Sequence, residues 1–231
     1  MKIAFIASAP HTGTWFLIEF LRSLPEVSNF VELPVLRKSK TCVRREVSPG
    51  AWEMGLVGQG INLVHSHFQE EDMALIRMMG LSNPTIIPIR DPLASILTRH
   101  NRYPKQRHTH MIGHWERMAG SFIKFKDEFQ ATFVPVDLGA NDSAVREASL
   151  GAAYSAIVDH GDFRWEPIRA FMERDPWPNS RGDYDLKRAY QDRDRDFLRN
   201  QIPMEWVELL RIKPTIQPFL ESMGYDDLLW W

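Results

Sequence analysis

The fold is decided by the stretch that opens the chain, Lys2-Ile3-Ala4-Phe5-Ile6-Ala7-Ser8-Ala9-Pro10-His11-Thr12-Gly13-Thr14-Trp15. The part from Lys2 to Ala7 is almost continuously apolar, which is typical of a central strand in a parallel sheet. The part that follows predicts a tight turn that opens a helix, with a glycine and two hydroxyl residues in the turn. Backbone N–H groups and the positive end of the helix dipole meet in such a turn, so Pro10–Trp15 is a candidate phosphate-binding turn.

This turn differs from the phosphate-binding loop of the ATPases. The Walker pattern G-x-x-x-x-G-K-[ST] needs a lysine after its last glycine, whereas Thr14 follows Gly13 here. The turn therefore lacks the cation on which the usual ATPase interpretation depends. A plain strand–helix turn with Gly13 at a tight corner is the alternative that the sequence leaves open.

Length and composition predict a single domain over 1–231. The chain has 231 residues, 44% of them hydrophobic, and its formal net charge of −2 gives no sign of a nucleic-acid binder. The single Cys42 can form neither an internal disulfide nor a Cys-based zinc site. No stretch reaches the roughly 20 apolar residues of a membrane span, and a strand that starts at Lys2 leaves no room for a signal peptide. We therefore expect a soluble, cytoplasmic protein.

Strands and helices alternate along most of the chain. Further strands are predicted at Asn62–Ser66, Thr85–Ile89 and Thr132–Val136. The predicted helices are Thr14–Leu24, Gln69–Met79, one from Pro92, Ile112–Glu128, one from Asp142 or Ser143, Asp185–Asn200, Met204–Ile212 and Pro214–Met223. This alternation predicts an α/β fold of three layers, α/β/α, with a central, mostly parallel sheet, a P-loop-like strand–loop–helix at the N-terminus and a helical C-terminal part.

Polar residues follow each predicted strand. They are His11–Thr14, His65–His67, Arg90 and Asp137. Ligands of parallel sheets bind at the carboxyl ends of the strands, so we expect these residues to converge on one rim.

The segment Arg90-Asp91-Pro92 is a second candidate phosphate site. Pro92 is well placed in the first turn of a helix, and Thr98 lies two turns along that helix. A guanidinium fixed at a strand end suits bidentate recognition of phosphate. A surface ion pair between Arg90 and Asp91 is the alternative.

Together these segments resemble the sulfotransferases that use 3′-phosphoadenosine 5′-phosphosulfate (PAPS). In that family a turn with the approximate sequence P-K-S-G-T-T-W binds the 5′-phosphosulfate, and an R-x-P segment with a serine eight residues after the arginine binds the 3′-phosphate. The segments Pro10–Phe16 and Arg90-Asp91-Pro92, with Thr98, match these motifs in order. The resemblance implies that the cofactor-binding residues are Pro10, His11, Thr12, Gly13, Thr14, Trp15, Arg90 and Thr98.

The segment Leu63–Phe68 resembles the K-T-H strand end that supplies the catalytic histidine of this family. The resemblance implies that His67 is the base and that His65 stands at the position of the lysine. Alternation along a strand puts both histidines on the same face, so the choice between them stays open. Asp137-Leu138 and Phe219–Tyr225 are similar to later segments of the family.

The chain also departs from the family pattern. The lysine of the turn is replaced by His11, which by its position would steady the departing phosphate. In the family an R-K-G-x-x-G segment caps the 3′-phosphate, and Ser180–Asp183 resembles that segment only weakly. The resemblance therefore implies Arg181 as a weaker candidate for binding the 3′-phosphate. A basic segment from His100 to His110 predicts a solvated or acceptor-guiding loop.

The resemblance implies transfer of a sulfonyl group from PAPS to a hydroxyl or amine by in-line displacement with a histidine base, without a metal. The acceptor would be a small molecule or a glycan. Two alternatives remain: a non-catalytic nucleotide-binding or scaffold protein of the same fold, and a P-loop kinase of a small metabolite, in which Asp137 would hold Mg²⁺.

Overall fold

The computed structural model describes residues 2–8, 14–32, 56, 58–67, 83–129, 131–136, 143–159, 161–173, 200–223 and 225. Two of the predicted helices, Gln69–Met79 and Asp185–Asn200, lie outside these residues except for Asn200. Pro10, His11, Thr12, Gly13 and Arg181 lie outside them as well.

Five strands form one parallel sheet. They are β1 (Lys2–Ser8), β2 (Val27–Glu32), β3 (Ile61–His67), β4 (Thr85–Ile89) and β5 (Thr132–Pro135). Their order is β2-β3-β1-β4-β5, and all four pairings are parallel. The apolar run at the start of the chain is therefore the central strand, which confirms the predicted α/β class.

Seven helices in the described part of the chain cover the two faces of the sheet. They are α1 (Thr14–Arg22), α2 (Pro92–Arg102), α3 (His108–Phe129), α4 (Ser143–Ile157), α5 (Glu166–Met172), α6 (Met204–Arg211) and α7 (Ile216–Ser222). Side chains of β1 alternate between two cores: Phe5 and Ala7 pack with α2, α3, α6 and α7, whereas Ala4 and Ile6 pack with α1, α4 and α5. The three-layer prediction is confirmed. None of these helices has both the length and the apolar character needed to cross a membrane.

Strand β2 was not predicted from the sequence. Among the described strands it lies at the edge of the sheet and pairs with β3 alone, with an irregular register between Val27 and Asn29. The Asn29 side-chain amide donates a hydrogen bond to Asn62 Oδ1 at 3.1 Å, which links the two strands through polar groups. The residues from Val27 to Glu32 therefore belong to the sheet.

The basic segment from His100 to His110 is a loop only in part: residues 103–107 connect α2 and α3, and the prediction is wrong for the residues on either side. His100 belongs to α2, while His108 and His110 belong to the first turn of α3. The rings of His100 and His108 contact Trp206 of α6, with centroids 5.1 and 5.6 Å away. Among the described residues, no three His, Cys, Asp or Glu side chains are grouped to hold a metal ion.

His114 on α3 is a titratable group with an altered proton affinity. Burial, and to a smaller extent the positive charges of Arg99 and Arg117 and the neighbouring His110, lowers its pKa to about 4. The usual value is 6.5. The unfolded chain therefore binds this proton more tightly than the folded protein does.

We expect the folded protein to lose stability as the pH falls from about 6.5 to about 4, because His114 takes up its proton only on unfolding in this range. Between pH 7 and pH 4.5, His114→Gln should reduce the loss in the free energy of unfolding by about 2 kcal/mol. Urea unfolding at the two pH values measures this difference. Thr109→Ala, at an exposed residue of the same helix that carries no titratable group, is the control. An identical pH dependence in wild type and His114→Gln would contradict the assignment.

Candidate functional site

The carboxyl ends of all five strands lie at one edge of the sheet, because all pairings are parallel. Ser8, His67 and Arg90 end or directly follow β1, β3 and β4, which are three neighbouring strands in the middle of the sheet. The topology thus places two of the predicted residues, His67 and Arg90, at the same edge as Ser8. Asp137 lies outside the described residues.

Arg90 is held in place by the turn between β4 and α2. Asp91 caps the helix: its Oδ1 accepts hydrogen bonds from the backbone N–H groups of Leu93 at 2.7 Å and Ala94 at 3.1 Å. Pro92 occupies the first helical position, where its missing N–H costs nothing. The sequence Asp-Pro therefore fixes the start of α2 directly after Arg90.

The structure brings Arg90 and Thr98 together. Arg90 Nη1 donates a hydrogen bond to Thr98 Oγ1 at 3.1 Å. The two residues are only 5% and 9% exposed, and Asp91 is fully buried. A surface ion pair between Arg90 and Asp91 is excluded by this burial. A buried guanidinium beside a hydroxyl at the carboxyl edge of a parallel sheet is chemically suited to bind an anion.

The first helix begins directly at a predicted site residue. Thr14 is the first residue of α1 and is almost buried, and Trp15 follows it. The N-terminus of α1 lies in the connection from β1, the central strand, where a helix dipole favours negative charge. The strand and the helix on either side of the predicted turn are therefore where the sequence predicts them, and the turn itself lies outside the described residues.

His65 and His67 both belong to β3. His67 is the last residue of the strand and pairs in register with Ser8, while His65 pairs with Ile6 on one side and Glu32 on the other. His65 is fully buried, and its Nε2 lies 2.9 Å from Ser8 Oγ. The two histidines therefore differ in place: one ends the strand, and the other is enclosed two residues earlier.

Sequence reasoning missed an aromatic cluster around His65. The Trp15 ring meets the His65 ring edge-on at 6.2 Å, and Phe30 stacks on His65 at 6.4 Å with an interplanar angle of 18°. Trp15 and Phe30 also meet edge-on at 6.3 Å. The three rings come from α1, β2 and β3, so only the assembled sheet reveals the cluster.

Comparison with known proteins bears on the fold. No protein-family model and no curated protein matches the chain. Mouse sulfotransferase SULT7A1, complexed with PAP, superposes with a TM-score of 0.53 at 13% identity, over 96% of this chain and 89% of that chain. A sulfotransferase from Alicyclobacillus acidocaldarius gives a TM-score of 0.52 at 15% identity, over 100% of this chain and 98% of that chain. The chain has the sulfotransferase fold.

Proposed function

We propose that the protein is a sulfotransferase that transfers a sulfonyl group from PAPS to a hydroxyl or amine of a small-molecule or glycan acceptor. The observation that carries the proposal is the buried Arg90–Thr98 contact directly after β4, in a chain with this fold. The structural neighbour SULT7A1 is complexed with PAP, the product that remains after sulfonyl transfer, which supports the same cofactor here.

Two groups of residues bind the two phosphate-bearing ends of the cofactor. Arg90 and Thr98 bind the 3′-phosphate, for which a guanidinium and a hydroxyl supply charge and hydrogen bonds. The N-terminus of α1 binds the 5′-phosphate through N–H groups and side chains. The residues of this second group are Pro10, His11, Thr12, Gly13, Thr14 and Trp15. Arg181 remains a weaker candidate for the 3′-phosphate.

When bound, PAPS supplies a sulfonyl group whose bond to a phosphate oxygen breaks as a bond to the acceptor oxygen or nitrogen forms. His67 removes the acceptor proton, since a base that titrates near neutral pH suits an alcohol. His11 donates a hydrogen bond to the phosphate oxygen that is left. The complete burial of His65 and its contact with Ser8 favour His67 as the base. Catalysis depends mainly on alignment of these groups.

A thermal-shift titration with adenosine 3′,5′-bisphosphate (PAP), AMP and Mg·ATP tests the proposal. We expect PAP to raise the melting temperature more than AMP does, because Arg90 and Thr98 are assigned to the 3′-phosphate. Ligand at about 100 times its Kd adds about 2.7 kcal/mol to the free energy of unfolding, which is readily detected. Purified protein with PAPS and a panel of phenols and sugars should then release PAP.

Other results would contradict the proposal. A shift with Mg·ATP alone would favour a kinase, and equal shifts with PAP and AMP would show that the 3′-phosphate is not recognised. Tight PAP binding without PAP release, whatever the acceptor, would favour a non-catalytic nucleotide-binding protein.

A further inference from the structure

We propose that Ser8 and His65 form a brace that fixes the two ends of the predicted phosphate turn relative to each other. Ser8 is the last residue of β1, and Trp15 is the second residue of α1. The imidazole of His65 contacts both, so one side chain of β3 connects the end of the strand with the start of the helix. This inference rests on the proposed function, because it assigns His65 a positioning role in binding the 5′-phosphate.

The first contact of the brace is a buried hydrogen bond. Ser8 and His65 are both 0% exposed, and Ser8 Oγ lies 2.9 Å from His65 Nε2. Buried polar groups cost free energy unless they are hydrogen-bonded, so each of these groups stabilises the other. The register supports the contact: Ser8 pairs with His67, and His65 lies two residues earlier on the adjacent strand. The hydrogen bond therefore ties the carboxyl end of β1 to β3.

The second contact of the brace is aromatic. Trp15 meets His65 and Phe30 edge-on, and Phe30 stacks on His65. Aromatic rings in edge-on and stacked arrangements attract each other and restrict each other's orientation. Since Trp15 directly follows the first residue of α1, these contacts locate the helix N-terminus against β2 and β3. A helix N-terminus binds a phosphate well only when its N–H groups are held in the right place.

The position of His65 argues for a role through its neighbours rather than for contact with substrate. The side chain has no exposed surface and contacts Ser8, Trp15 and Phe30. An acceptor molecule cannot reach a side chain that has no exposed surface unless its neighbours move. His65 is therefore assigned as a positioning residue, distinct from His67 at the end of the strand.

Two variants test the hydrogen bond of the brace from its two sides. Ser8→Ala removes the hydroxyl and leaves all rings in place, and His65→Phe replaces the imidazole by a ring that cannot form a hydrogen bond. Affinities are measured by titration calorimetry for PAP and for adenosine 3′-phosphate, which lacks the 5′-phosphate. We expect each variant to weaken PAP binding about 3- to 10-fold, the range for one hydrogen bond. The affinity for adenosine 3′-phosphate should change less than about 2-fold, because Arg90 and Thr98 are untouched.

A matched control is Tyr154→Phe. Tyr154 is fully buried, and its hydroxyl donates a hydrogen bond to Glu26 Oε1 at 2.8 Å, which the substitution removes. Glu26 directly precedes β2, so this bond lies at the amino ends of the strands, opposite the predicted phosphate turn. The affinities of this variant for both nucleotides should match those of the wild type. His65→Gln tests the assignment further, because its side-chain amide can reach Ser8 in place of Nε2, and it should bind PAP more tightly than His65→Phe does.

The outcomes separate this inference from the proposed function. Wild-type affinity for PAP in both Ser8→Ala and His65→Phe would overturn the brace while leaving the proposed function intact. Equal weakening for both nucleotides would also overturn it, since a general loss of structure does not single out the 5′-phosphate. Failure of the wild-type protein to bind either nucleotide would contradict the proposed function, and the brace with it.

Discussion

Turnover of His67→Ala should fall by ~10²–10⁴-fold relative to the wild type, while its affinity for PAP stays unchanged. His67 is assigned as the base that removes the acceptor proton, and proton removal matters in the transition state rather than in cofactor binding. Its place as the last residue of β3, paired with Ser8 of the central strand, supports this assignment. The measurement is kcat from PAP release, together with the Kd for PAP from calorimetry.

The pH profile makes the same experiment more specific. In the wild type, kcat/KM should decline at acidic pH because a protonated base cannot accept a proton. The residual activity of His67→Ala should lack this acidic limb. His110→Ala, at an exposed histidine of α3, serves as the control and should keep both turnover and profile. Near-normal turnover in His67→Ala would remove His67 from the mechanism.

Most of the fold could be predicted because its signals are local. A continuous apolar run identified β1 as the central strand, and the predicted bounds of β3, β4 and β5 agree with the observed ones to within one residue. Asp91 and Pro92 are strong helix-start signals, and the structure uses both of them at the start of α2. The eight-residue spacing then put Thr98 on that helix, within reach of Arg90.

Two elements were not predicted. Helix α5 has only seven residues, and although Glu166 and Pro167 stand in its first turn, Trp165 at its N-cap makes no side-chain capping hydrogen bond. Strand β2 carries the polar residues Ser28 and Asn29. It is held in the sheet by pairing with β3, whose residues lie far from β2 along the chain. Short elements of this kind are stabilised mainly by tertiary packing, which single-sequence patterns do not contain.

The environment of His65 could not be predicted for a related reason. The alternation of side chains along a strand predicted that His65 and His67 lie on one face, but it did not predict which residues contact either of them. The partner hydroxyl, on Ser8, lies 57 residues away, and the rings of Trp15 and Phe30 come from two other elements. Only the order of the strands brings these groups together, so the distinction between an enclosed histidine and one that ends the strand follows from the structure.

Replacing Arg90 by alanine should weaken PAP binding about 10- to 100-fold, because charge-assisted hydrogen bonds contribute about 1.5–3 kcal/mol. AMP, which lacks the 3′-phosphate, should lose little affinity, so the difference between the two nucleotides isolates the role of Arg90. Arg90→Lys keeps the charge without the planar fork and should lie between wild type and alanine. Calorimetry with both nucleotides, on variants whose melting temperatures are also recorded, provides the measurement.

Arg99→Ala is the matched control for this prediction. Arg99 lies on the same helix as Thr98, but its Nε donates a hydrogen bond to Gln106 at 3.1 Å, so its removal takes away a cation without touching the Arg90–Thr98 contact. If overall positive charge attracted the nucleotide, both arginine variants would weaken PAP binding alike. If Arg90 binds the 3′-phosphate directly, only Arg90→Ala should lose the preference for PAP over AMP. Equal losses for PAP and AMP in Arg90→Ala would place the 3′-phosphate elsewhere.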